Sequence, residues 1–243
     1  MKSLGFVFGW VAAMGCEQVD SPGIRTEAVF ADMSVTASGD GTSLVSAGLR
    51  TGGGGSNTYL DLVDGDALVA HGAGAMAMQR QESALGSIHY VARFDVDSEN
   101  ALFRIEFARR SHDEAEEVCR GGDAPNSIAT LPAPFSLVLD PPNALVSRAS
   151  GDLTVSWAAS TDPVRWTLSG DCIETQAVDL ERDAGTLRLL GTNMQALKGR
   201  TGETCSVDLD VSRMRPGSVD SAFGAGGVFD AIQTRTVRFR SGP

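Results

Sequence analysis

Imidazole, thiol and clustered carboxylate groups are where this 243-residue chain could do chemistry. Imidazoles and thiols are few: His71, His89 and His112, with Cys16, Cys119, Cys172 and Cys205. The segment His71-Gly72-Ala73-Gly74-Ala75-Met76-Ala77 satisfies a loose G-x-G-x-x-A fingerprint. That fingerprint holds a dinucleotide only when a strand precedes it, a long helix follows, and a parallel βαβ sheet aims the helix N-terminus at the pyrophosphate. Only the strand is on offer, so a glycine-rich loop in a β domain is expected. Asp95-Val96-Asp97-Ser98-Glu99-Asn100 bunches hard oxygen ligands as calcium sites do, but the rest of the twelve-residue loop is missing and a polar tip between strands is expected. His112 and Glu116 share a helical face at i,i+4. Without a second histidine there, a solvated face is expected rather than zinc. H-E-x-x-H, G-x-S-x-G and S-x-x-K do not occur. The expectation is a non-enzyme with no catalytic residue, no metal ligand and no cofactor.

The elements that would carry these groups are strands. Val29, Ala31, Met33 and Val35 alternate with Asp32, Ser34 and Thr36, and Val45, Ala47 and Leu49 repeat the pattern. Tyr59–Val63 and Ala67–Ala70 flank Asp64-Gly65-Asp66, whose Asp-Gly step signals a hairpin. Tyr90, Ala92, Phe94 and Val96 face one way, and Phe103, Ile105 and Phe107 answer them across Asp97–Asn100. Period-two alternation with one wet face is the mark of antiparallel sheets.

Ser111-His112-Asp113-Glu114 has capping-box spacing, and Gly121-Gly122 stops the short helix it predicts. Leu131-Pro132-Ala133-Pro134 reads as a connector, and a second strand series runs from Phe135 to Phe239. The predicted fold is all-β: two immunoglobulin-like antiparallel β-sandwich domains with one short connecting helix. The sandwiches are assigned to 27–125 and 126–243, after a leader at 1–15 and a polar tether at 16–26. A net charge of −11 excludes nucleic acid and anionic lipid headgroups as main partners, since both demand basic patches.

The N-terminus carries a resemblance. Lys2 forms a minimal charged region, Leu4–Ala13 a short apolar one, and Ala13-Met14-Gly15-Cys16 resembles the lipobox of bacterial lipoproteins. The resemblance implies export and acylation at Cys16, with lipid as the membrane anchor. Glu17 does not match the Asp that retains some lipoproteins in the inner membrane, which implies the outer membrane. Ala13-x-Gly15 also fits ordinary signal peptidase, which would release a soluble protein.

Export permits disulfides. In Trp166–Cys172 the apolar residues take even positions, in phase with Cys172, and Cys205 shares its phase with Val207, Leu209 and Val211. Two cysteines on core-facing registers can meet, so a Cys172–Cys205 bridge is expected. Cys119 is then a free thiol. If Cys16 were unacylated, Cys16–Cys119 would be the second bridge.

The second strand series resembles a fibronectin type III domain over about residues 131–241. The carrying residues are Pro134-x-x-Leu137, Leu153-Thr154-Val155-Ser156-Trp157, Asp162–Leu168 with Trp166 where that family often has Tyr, and Cys205-x-Val207-x-Leu209-x-Val211. Trp157 and Trp166 alternate with Val155 and Leu168 and are expected in the core. Arg215–Phe229 departs from the family as an insertion, expected as an ordered loop packed by Phe223. Arg213, Arg215, Asp220 and Phe223 are the candidate residues of a binding loop. By fold analogy, the expected function is a binding or adhesion module for a protein or polysaccharide partner. An assembly component of an envelope complex is the alternative, followed by a secreted hydrolase.

Overall fold

The computed structural model describes residues 17–110 and 121–243. Cys16, His112, Cys119 and the short connecting helix lie outside the described residues. Eighteen strands make up nearly all the regular structure described. In the first half they are β1 (Glu17–Asp20), β2 (Val29–Ala37), β3 (Ser43–Thr51), β4 (Thr58–Asp61), β5 (Ala67–Gly72), β6 (Gly74–Ala77), β7 (Gln79–Glu82), β8 (Ile88–Phe94), β9 (Leu102–Ala108) and β10 (Ala124–Thr130). The second half adds β11 (Val138–Asp140), β12 (Leu145–Ser147), β13 (Asp152–Ser156), β14 (Val164–Gly170), β15 (Ile173–Leu180), β16 (Thr186–Leu190), β17 (Cys205–Pro216) and β18 (Gly227–Gly242).

Alternation decides the inward faces. On β2 the side chains of Val29, Ala31, Met33, Val35 and Ala37 are all buried, and on β9 so are Phe103, Ile105 and Phe107. These strands belong to opposing sheets, and Phe94 meets Phe103 edge-on across the gap at 5.7 Å between ring centroids. Burying each such aromatic or branched side chain stabilises by roughly 1.5–3 kcal/mol before entropy is charged against it.

Two turns expected to close hairpins instead turn corners. Asp64 and Gly65 both have positive φ, 55° and 89°, as an Asp-Gly step favours. Yet β4 lies in the large sheet and β5 in the four-stranded sheet β10-β9-β5-β6. The turn Asp97–Asn100 likewise takes the chain from β8 in the large sheet to β9 in the other. The glycines of the dinucleotide-like segment form the β5–β6 hairpin, where Gly72 faces Gly74. A Cβ on Gly72 would stand 2.9 Å from the Phe103 ring, so the aromatic core requires glycine there.

The large sheet has eleven strands and serves two cores. The order β1-β4-β3-β2-β18-β17-β14-β15 runs across it, with β8 on β3, β7 on β8 and β12 on β18. The first half of β18 pairs in parallel with β2, Gly227 to Gln233 against Ala31 to Ala37. Along the whole of β17 it pairs antiparallel, from Cys205–Ser241 to Pro216–Asp230. Its inward phase never changes: Phe229 and Ala231 enter the first core, and Phe239 enters the second. In the second core the three strands β11-β13-β16 oppose β15-β14-β17-β18, an immunoglobulin-like three-on-four sandwich.

Other expectations change. A division at 125/126 would cut β10, whose Ala129, with Leu131 beyond it, is buried in the first core; the change of core falls between Leu131 and Phe135. The residues after Cys16 are not a loose tether. Glu17–Asp20 pairs in parallel with Thr58–Asp61, and Ser21 and Thr26 are buried. This mostly polar segment packs only Val19 and Ile24 against the first core and is otherwise held through its backbone. The buried Arg109 guanidinium donates to Ser21 O at 2.7 Å and Ile24 O at 2.6 Å while pairing with Asp66 at 3.1 Å.

Candidate functional site

Of the four residues expected on a binding loop, Arg213 and Phe223 are buried and Arg215 and Asp220 are half-buried. Arg213 follows the phase of Val207, Leu209 and Val211, which points it inward, and it is 1% exposed. Its Nε donates to Asp183 Oδ2 at 2.8 Å, its Nη1 to Ala133 O at 2.9 Å, and its Nη2 to Ala158 O. The guanidinium lies over the Phe135 ring, 4.5 Å from the centroid. Asp183 also accepts from Trp157 Nε1 at 2.6 Å, Gly185 N at 2.9 Å and Ser160 N at 3.1 Å, so the buried charge is fully coordinated.

Arg215 works across the two cores. Its Nε and Nη2 make two 2.9 Å bonds to Asp162, and its Nη1 donates to Asn100 Oδ1 at 2.9 Å and Leu131 O at 3.0 Å. The Asp162 carboxylate raises the Arg215 pKa further above its ordinary value. Asp220 accepts from Asn126 N at 2.7 Å and Ala222 N at 2.9 Å. Phe223 is 3% exposed and stacks on Phe107 at 5.9 Å, as the packed-loop reading expected. Segment 217–229 thus completes the first core. Trp157 and Trp166 are buried in the second.

The other chemistry-bearing residues are occupied structurally. His71 Nε2 lies 3.2 Å from Glu106 and 3.0 Å from Arg104 Nη2. The His89 ring meets Tyr59 edge-on. Asp97 Oδ2 accepts from Gly41 N at 3.2 Å and its carbonyl accepts from Gln233 Nε2 at 2.6 Å, so the calcium-like cluster ties the hairpin tip of β2–β3 to β18. Among the described residues no three His, Cys, Asp or Glu side chains converge to hold a metal. No described helix is long and apolar enough to cross a membrane.

The far end of the second sandwich holds the disulfide. Cys172 and Cys205 are bonded, with Cα atoms 5.9 Å apart, joining the turn after β14 to the start of β17. Arg148, which periodicity did not single out, is buried against the bridge. Its Nη2 donates to Glu203 O at 2.7 Å and Thr201 O at 2.9 Å, and its Nη1 to Ser241 Oγ at 3.3 Å. Beside it opens a polar groove of ≈ 560 Å³ lined by Ser169, Asp171, Thr175, Ser206, Asp208 and Arg238. Arg238 forks onto Asp208 at 2.6 and 2.9 Å and holds that carboxyl below the usual aspartate range. Hydroxyls, an acid and a paired guanidinium on a rigid sheet can hydrogen-bond a polyol or a polar peptide. Strand register could have found this groove, because Ser169, Ser206 and Asp208 sit in the outward phase.

No family model matches the chain, and no curated protein matches it. Among solved structures, titin-A168169 aligns at 9% identity over 87% of this chain and 96% of that one, with a TM-score of 0.25. The Yersinia pseudotuberculosis adhesin InvE aligns at 16% identity over 90% of this chain and 60% of its own, with a TM-score of 0.23. Salmonella alpha-2-macroglobulin aligns at 14% identity over 91% of this chain and 15% of its own, with a TM-score of 0.27. Likeness at these scores bears on neither family nor function.

Proposed function

We propose that this chain is an exported bacterial envelope protein, acylated at Cys16 and anchored in the outer membrane, acting as a non-enzymatic binding or adhesion module. The observation that carries the reading is Ala13-Met14-Gly15-Cys16 behind a short apolar segment. The Cys172–Cys205 bridge supports it, since structural disulfides belong to oxidising compartments. In this reading the protein is two β-sandwich domains, the C-terminal one fibronectin type III-like, and the partner is a protein or polysaccharide met at the polar groove by Asp171 and Arg238. Intact mass spectrometry of the protein from its native membrane, with and without reduction, tests it. A mass beginning at Cys16 plus acyl chains, two hydrogens short before reduction, is the expected result. An unacylated mass overturns the anchor.

A structural role in an envelope complex is the second reading. It is favoured by β18, whose single inward face serves both cores and suits a stiff spacer. It is distinguished by stable co-purification with a complex and no affinity for free glycans.

A further inference from the structure

Covalent geometry ties the proposed acylation site directly to the first described residue. Cys16 precedes Glu17 directly, and consecutive Cα atoms stand about 3.8 Å apart. Glu17 is already structured: its N–H donates to Asn57 O at 3.2 Å and it pairs with Thr58. A flexible linker would give a reach growing with the square root of its length, and here that length is nil.

Register then says which end of the molecule this is. Thr58 is level with Thr51, and Thr51 with Val29. Strand β18 enters the sheet two residues further along, at Gly227 opposite Ala31. It runs away from that level and ends at Gly242 in the second sandwich, where Arg148 N donates to Gly242 O. A sixteen-residue strand at about 3.3 Å per residue separates the two ends by roughly 50 Å.

The end that carries Glu17 also carries the β7–β8 hairpin tip, with Leu85 at its apex 76% exposed. Gln18 fastens that tip to β1 through Glu82 Oε1 and Gly86 O, each at 3.1 Å. Glu82 is neutralised by Arg80 at 2.9 Å, and Arg80 also pairs with Asp61 at 2.8 Å. Arg80, the one cation within residues 79–88, is thus paired with two acids, so the tip suits zwitterionic headgroups rather than anionic ones.

We infer that the end of the first sandwich bearing Leu85 rests on the bilayer surface beside the acylated Cys16, with β18 holding the disulfide end of the second sandwich about 50 Å out. This rests on the acylation reading.

The test uses full-length acylated protein, its acylation checked by intact mass, in vesicles of phosphatidylcholine and phosphatidylethanolamine. An environment-sensitive dye is placed at Leu85→Cys or, as the distal reference, at the exposed Ser150→Cys, each in a Cys119→Ser background. Lipid carrying a contact quencher should more than halve the Leu85 emission and leave Ser150 unchanged. Equal quenching at both sites, or at neither, in verified acylated protein overturns the orientation and leaves the anchor standing. A mass without acyl chains overturns both.

Discussion

Arg213 and Asp183 form a salt bridge from which water is excluded: the donor–acceptor distance is 2.8 Å and the side chains are 1% and 0% exposed. The pair sits beneath Phe135, where the chain passes from one core to the other, and each partner is also bound to the backbone or to Trp157. An isolated charge here would be costly, so the pair makes the junction a specified contact.

Arg213→Ala should therefore destabilise by about 3–5 kcal/mol, because Asp183 stays buried without its counter-charge. Asp183→Ala should cost at least as much, since it also orphans Trp157 Nε1 and two backbone donors. The double variant should cost less than the sum. Urea unfolding of the three variants measures this, and strict additivity would refute the coupling.

Phe223→Ala should behave as a core truncation, costing about 3–5 kcal/mol through loss of its stack on Phe107. A Phe223 that merely formed a contact surface for a partner would leave the melting temperature unchanged.

Removing the bridge with Cys172→Ala and Cys205→Ala should cost about 3–4 kcal/mol for a 33-residue separation in the chain-entropy picture. Wild-type protein under reductant should fall to the same unfolding midpoint as the double variant, and a midpoint indifferent to reductant would contradict the assignment.

Gly227→Ala should destabilise by roughly 1–3 kcal/mol, since an added Cβ falls on the Ala31 carbonyl where β18 joins β2. Calorimetry should show the loss in the transition that includes the first core.

Burial, and then the neighbouring Asp32, raise the Asp230 pKa above its ordinary value. The folded state therefore binds more protons than the unfolded one between the two values. Stability from this group falls as pH rises from about 4 through the raised pKa, and the penalty is then constant. Asp230→Asn should match wild type in acid and gain on it as the pH rises. A gap independent of pH would show that the carboxyl is not the cause.

Local alternation by itself determined the inward face of β2, β3, β8, β9, β14 and β17, and with it the Cys172–Cys205 bridge. Period two places a side chain on one face regardless of what the strand later pairs with. Extended eight residues past Cys205, the same phase would have put Arg213 inside, but charge argued the other way, and its partner lies thirty residues back in a segment without periodicity. Tertiary structure alone decided that the Asp64-Gly65 turn joins two sheets, that residues 17–26 are bound in place, and that one long strand serves both cores. A turn's dihedrals set the local bend and leave the choice of sheet open. Backbone pairing of a polar segment leaves no pattern in its side chains. The reach of β18 depends on β2, nearly two hundred residues earlier, offering it an edge.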